Sequence, residues 1–131
     1  MKRLLLTIET VFLEALTVSG SEEKVVMITF SGTAHSEHFS GEIKSTGTDT
    51  QKYDLKSGEC SFSARYMLQG TDKNGQKCSI FIENQQRNNS GWLPKIVTDS
   101  EYLRSWESLP LTASVDADDK GVTVRIYAEL P

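Results

Sequence analysis

Between Gly58 and Gln85 the chain reads GECSFSARYMLQGTDKNGQKCSIFIENQ, two alternating apolar and polar runs on either side of Asn74-Gly75. Asn-Gly between such runs is a strong hairpin signal, because both central positions of a type I′ turn take positive φ. With Asn74 and Gly75 as a two-residue turn, Met67 faces Ile82, Tyr66 faces Glu83 and Arg65 faces Asn84. Side chains alternate across a strand. One face then carries Phe62, Ala64, Tyr66, Leu68, Phe81 and Glu83; the other carries Arg65, Met67, Gln69, Ile80, Ile82 and Asn84. Neither face is purely polar, as expected of a wall covered on both sides or of a closed barrel with an interior. A three-residue turn would slip the register by one and exchange this assignment.

The rest of the chain extends the alternation. Residues 3–18 place Leu4, Leu6, Ile8 and Phe12 on one face, and Thr7, Glu9, Val11, Leu13 and Ala15 on the other; Val11 and Phe12 favour strand over helix. After a turn at Ser19-Gly20-Ser21, Lys24–Phe30 is a strand, interrupted at Ser31-Gly32, and Thr33–Ile43 is another. Lys44–Ser57 contains almost no apolar residues except Tyr53 and Leu55, and reads as a loop or ragged edge strand at a pocket mouth. Gln85–Gly91 is a second polar loop, and Pro94 marks Leu93–Val97 as an edge. Thr98 and Glu101 have the spacing of a capping box, predicting a short helix from about Asp99 to Trp106 that Pro110 helps to end. Last, Leu111, Ala113, Val115 and Ala117 face Val122, Val124, Ile126 and Ala128 across Asp118–Gly121, with a wet face behind them. Short strands, frequent turns and one short helix predict an all-β antiparallel barrel or sandwich, a single domain over residues 1–131.

Charge and composition then narrow the function classes. The 131 residues carry a net charge of -4 and no Lys/Arg cluster, which argues against nucleic acid, whose binding rests on phosphate neutralisation. No apolar run approaches the ~20 residues of a membrane span, so no membrane partner is expected. The start, Met1-Lys2-Arg3-Leu4-Leu5-Leu6, superficially looks like a signal peptide. Thr7 and Glu9 break that run and no small-residue cleavage site follows, so the cytoplasm is the expected compartment. Cys60 and Cys78 lie too far apart on the hairpin ladder to bridge, and two free thiols fit a reducing compartment. No phosphate loop, dinucleotide fingerprint or Ser-His-Asp pattern occurs, and no cofactor is expected.

Six stretches taken together carry a family resemblance. They are Ile28-Thr29-Phe30-Ser31-Gly32-Thr33, Gly41-Glu42-Ile43, Gly47-Thr48-Asp49, Ala64-Arg65-Tyr66-Met67-Leu68, Ile80-Phe81-Ile82-Glu83-Asn84 and Gly121-Val122-Thr123-Val124-Arg125-Ile126-Tyr127. In this order they resemble an uncharacterised bacterial family, the domain of unknown function 3237 (uncharacterised protein family 0311), over most of the chain. The resemblance implies a calycin-like antiparallel β-barrel of no firmly established activity. Thr50 stands where the family tends to have Trp, and an insert that many members carry after the Glu-Asn motif is reduced to the short helix.

Candidate chemistry centres on the hairpin. Inside a barrel, Arg65 would offer a planar fork to a carboxylate, and a desolvated Glu83 could serve as general base; the plain alternative is a structural Arg-carboxylate pair. Asp49 either closes over such a site or is an ordinary turn residue. His35 and Glu37 share a strand face that His38 does not, so no metal site is expected and His35 is read as a mouth residue. Trp92, Tyr102 and Trp106 are expected to plug one barrel end. The first functional reading is a binding module for a small, partly apolar molecule, contacted by Arg65, Glu83, Asn84, Asp49 and His35. The alternative is a cofactor-free isomerase, lyase or cyclase acting on a small carbonyl compound, with Glu83 as base and Arg65 as oxyanion partner. A third reading is a homo-oligomer paired through Thr112, Ser114, Arg125 and Tyr127.

Overall fold

A three-residue loop, rather than a two-residue one, closes the central hairpin. In the computed structural model, which describes residues 1–131, Thr71 pairs with Lys77 and Arg65 with Glu83. Gly75 alone in the loop has positive φ, at 78°. The Asp72 Oδ1 accepts hydrogen bonds from the backbone N–H groups of Asn74 and Gln76, at 2.9 and 3.2 Å. An aspartate that bonds the chain two residues on builds a type I turn, which a left-handed glycine then closes, and that combination needs three loop residues. The register expected from the two-residue turn is therefore corrected by one. Tyr66 faces Ile82, Ala64 faces Asn84, and Glu83 shares the face of Arg65.

The strands are β1 (Lys2–Ser19), β2 (Glu23–His35), β3 (Phe39–Ile43), β4 (Gly47–Asp54), β5 (Cys60–Asp72), β6 (Lys77–Arg87), β7 (Leu93–Thr98), β8 (Leu111–Ala117) and β9 (Val122–Glu129). All pair antiparallel in one sheet of order β7-β6-β5-β3-β2-β1-β9-β8, with β3 and β4 sharing the gap between β2 and β5. The sheet curls until its edges approach, and Trp92 bridges to Ala113 across the seam. The chain is thus an all-β antiparallel barrel. No helix is long and apolar enough to cross a membrane.

Several elements differ from their sequence expectation for local reasons. Lys44–Ser57 holds β4, laddered on both sides by β2 and β5, so paired neighbours override its polar composition. The expected helix shrinks to a 3₁₀ turn, Arg104–Glu107. Thr98 is tied into the sheet, its hydroxyl donating to the Ser79 carbonyl at 2.8 Å. No side chain caps the 3₁₀ turn; the Ser100 Oγ accepts from the Leu103 N–H at 3.2 Å in the turn that precedes it. A bulge between Leu4 and Leu6 buries both Leu5 and Leu6 and leaves Leu4 exposed. The β8–β9 hairpin has the expected register, Ala117 with Val122 through Leu111 with Ala128.

The interior is filled unevenly. Leu6, Ile8, Leu68, Ile80, Ile82 and Ile126 are fully buried in the middle. Buried Leu103 and Trp106 plug one end, where the His38 ring meets Trp106 edge-on at 5.8 Å and its Nδ1 lies 3.0 Å from the Tyr102 hydroxyl. Toward the other end, Phe30 and Tyr66 pack edge-to-face with centroids 5.6 Å apart. Gly47 permits this, since a Cβ there would collide with the Phe30 ring and the Tyr66 Cβ.

Candidate ligand cavity

Beyond Phe30 and Tyr66 the barrel is hollow. The inward residues of β5 are Phe62, Ala64, Tyr66 and Leu68, and Ala64 is the small one. Ala64 stands directly between Asp49 on β4 and Asn84 on β6, and Asp49 in turn stands beside Ile28 on β2. With strands about 4.8 Å apart, the Asp49 and Asn84 backbones lie about 10 Å apart with only a methyl group between them. One step toward the mouth, Gln51 pairs with Phe62. Thr10 and Phe12 of β1, Val115 and Ala117 of β8, and Val122 and Val124 of β9 form the opposite wall. The cavity they enclose is about 230 Å³, and 11 of its 15 lining residues are hydrophobic, which makes its few polar groups conspicuous. Trp92 stacks on Phe62 at 6.2 Å between centroids.

Thr10 and Gln51 are hydrogen-bonded, but three other polar atoms are unsatisfied. Asp49 Oδ1, the Tyr66 hydroxyl and Asn84 Oδ1 are buried with no hydrogen-bond partner. Tyr66 and Asn84 are only 4% and 2% exposed, so water outside the barrel does not serve them. Asp49 Oδ2 accepts from Gln51 Nε2 at 2.9 Å, and Gln51 Oε1 accepts from the Tyr53 hydroxyl at 2.8 Å, a chain that ties the carboxyl toward the mouth. Burial pushes the Asp49 carboxyl above its ordinary range, and the Gln51 hydrogen bond offsets this only in part. Burial also pushes the Tyr66 phenol up. A buried polar group left unpaired costs about 1–3 kcal/mol, so three on one small cavity call for a partner that enters it. No Lys, Arg or His lines the space.

Of the residues singled out in the sequence, Asp49 and Asn84 line the cavity. Arg65 and Glu83 do not. They stand opposite each other on the outer face, Arg65 exposed and Glu83 half-buried, in an outward hollow shared with Lys52, Ser61, Ser63 and Arg87. The expectation of a guanidinium sheltered in the barrel is corrected, because Arg65 falls between inward-facing Ala64 and Tyr66. Glu83 falls likewise between buried Ile82 and Asn84. His35 is exposed, 3.4 Å from Glu9, and away from the cavity. Trp92 is separated from Tyr102 and Trp106, at the hollow end rather than the plugged one. Sequence reasoning missed Tyr66, Phe62 and Trp92 as cavity walls; the signal was Ala64, a small residue in an otherwise large inward series. Cys60 and Cys78 are free thiols.

No family model matches the chain, and no curated protein matches it in sequence. Solved structures do match. The chain is similar to a protein of unknown function from Clostridium acetobutylicum ATCC 824 at 17% identity, covering 98% of this chain and 95% of that one, with a TM-score of 0.79. It is similar to a β-barrel-like protein from Acinetobacter baumannii AYE at 20% identity, covering 98% and 96%, with a TM-score of 0.71. It is also similar to an enzyme from Penicillium herquei at 14% identity, covering 96% and 93%, with a TM-score of 0.70. At these identities the likeness shows the shared barrel-like fold.

Proposed function

We propose that this protein is a binding module that holds a small, partly apolar molecule at the hollow end of its barrel, with Asp49, Tyr66 and Asn84 as its polar contacts. The observation that carries this reading is the convergence of three partnerless buried polar atoms on one apolar cavity. Membership of the bacterial domain-of-unknown-function 3237 family, a cytoplasmic location and a self-associating state belong to the same proposal, the first supported by the six motif stretches. Benzene, a probe for the apolar walls of the cavity, tests it by calorimetric titration. Saturable binding that weakens at least about tenfold in Ala64→Leu supports the reading; no saturable binding, or no effect of Ala64→Leu, overturns it.

A second reading rests on Asp49. A carboxyl raised by burial, lining one cavity with an unpaired phenol, suits proton transfer. In a cofactor-free isomerase, lyase or cyclase acting on a small carbonyl compound, Asp49 takes the acid-base role considered for Glu83. Tyr66 then donates to the carbonyl oxygen. The structural relative from Penicillium herquei is an enzyme, so the fold hosts chemistry in that protein. Exchange of the α-hydrogens of cyclohexanone into deuterated water, followed by NMR, tests this reading. It predicts acceleration by the parent and loss in Asp49→Asn; no acceleration by the parent contradicts it.

A further inference from the structure

Resting on the binding-module reading, we propose that the occupant is a neutral, hydroxyl-bearing ring compound of the phenol or cyclic alcohol class, and neither a carboxylate, a phosphate nor an amine. The charge of the cavity excludes the anions. None of its lining residues is a Lys, Arg or His, so a buried anion would lose its hydration with no counter-charge to offset it. Lys52, Arg65 and Arg87 line the hollow on the outer side of this wall, and Lys24, over the Tyr53 ring at 5.8 Å from its centroid, is not among the cavity's lining residues.

Hydrogen-bond bookkeeping selects among the neutral groups and against the amine. Two of the orphan atoms belong to Asp49 and Asn84, which flank Ala64 in one row, and the third belongs to Tyr66, the next inward residue along the same strand as Ala64. Asn84 Oδ1 needs a donor, whereas the Tyr66 O–H needs an acceptor. A carbonyl on the ligand only accepts and would leave Asn84 unsatisfied. An ammonium only donates and would leave the Tyr66 proton unsatisfied. A hydroxyl seated over the Ala64 methyl accepts from Tyr66 and donates to Asn84 or Asp49, so it serves two orphans at once.

Size and shape set the remainder. At about 230 Å³ the space lies below the range of about 300–1,000 Å³ that holds drug-sized ligands, so one or two rings fill it. Phe30, Phe62 and Trp92 supply flat faces for a ring.

The test is calorimetric titration of the full chain at pH 7 with phenol, benzene, benzoate and benzylamine. Phenol is expected to bind about tenfold more tightly than benzene, by the net value of one to two hydrogen bonds, with benzoate and benzylamine weaker than benzene. In Tyr66→Phe and Asn84→Leu the phenol-to-benzene ratio should fall toward one. Benzene binding without a preference for phenol overturns this inference and leaves the cavity reading standing. So does tighter binding of benzoate or benzylamine than of phenol. If none of the four binds, the cavity reading falls and takes this inference with it.

Discussion

Asp49 and Asn84 flank the methyl group of Ala64 from the two strands on either side of it; both line the same cavity, and each carries a buried oxygen with no partner. The space above that methyl group is where a ligand and a larger side chain would compete. Ala64→Leu should leave the thermal unfolding midpoint unchanged or higher, since the added carbons enter an apolar hollow. The same change should abolish the stabilisation that benzene gives the parent protein. Differential scanning calorimetry with and without benzene checks both outcomes.

Tyr66→Phe removes a hydroxyl that is buried and unpaired. The ligand-free protein should gain about 1–3 kcal/mol of unfolding free energy, the cost of the unmet hydrogen bond. Urea denaturation measures it. A residue kept at the expense of stability is what a binding contact looks like.

Two aspartates should respond to pH in opposite directions. The Asp49 carboxyl titrates above its ordinary value of 3.8 in the folded chain, chiefly because of burial. Its contribution to stability is therefore fully present below that value and is lost as pH rises through the folded one. Asp49→Asn, neutral at every pH, should raise the unfolding midpoint at pH 7 and differ little from the parent at pH 3. Asp72 titrates below 3.8, chiefly because the Ser100 hydroxyl donates to it at 2.7 Å, with further bonds from the Gln76 and Asn74 amides. Its stabilisation is present above 3.8 and is lost as pH falls through the lower folded value. Asp72→Asn should therefore lower the midpoint at pH 7, with the deficit shrinking below pH 3.8. Melting curves across pH 2.5 to 7, read by circular dichroism, test both signs against ordinary values of 3.8.

The far half of β1 is an uncovered edge. β1 pairs with β9 only as far as Glu9, so Leu13–Ser19 is laddered by β2 alone. Leu13, Leu16 and Val18 are 55%, 59% and 64% exposed, and no Lys or Pro interrupts them. Such an edge invites pairing with another strand. Leu16→Lys should reduce self-association in sedimentation velocity without altering benzene binding.

At the plugged end, Trp106 is 3% exposed and packs against His38. Trp106→Ala should cost about 3–5 kcal/mol of stability by leaving a hole in the packing. Urea denaturation checks it.

The legibility of the sequence varied with how locally each feature is determined. The β8–β9 register could be read directly, because one face is apolar and Asp118 accepts from the Lys120 and Gly121 amides to close the turn. The central hairpin has equally clear strands, but the side chain of Asp72 decides its loop length. That single residue of slip exchanges Glu83 and Asn84 between wall faces. The side of the wall that Arg65 takes is hidden for another reason. A strand apolar on both sides does not declare which side is inside, and Met67 beside Arg65 is itself 42% exposed. β4 was hidden because its polar residues look like a loop until β2 and β5 are known to flank it. Asn84 and Asp49 were singled out, but the hollow that unites them depends on Ala64 and on a register the sequence left open.

The most direct test is an NMR titration of isotope-labelled protein with phenol. The account predicts saturable shifts of the Ala64 methyl and the Asn84 side-chain amide, with the Arg65 guanidinium unmoved. Shifts confined to Arg65, Lys52 and Arg87 on the outer wall, with Ala64 and Asn84 silent, would contradict it.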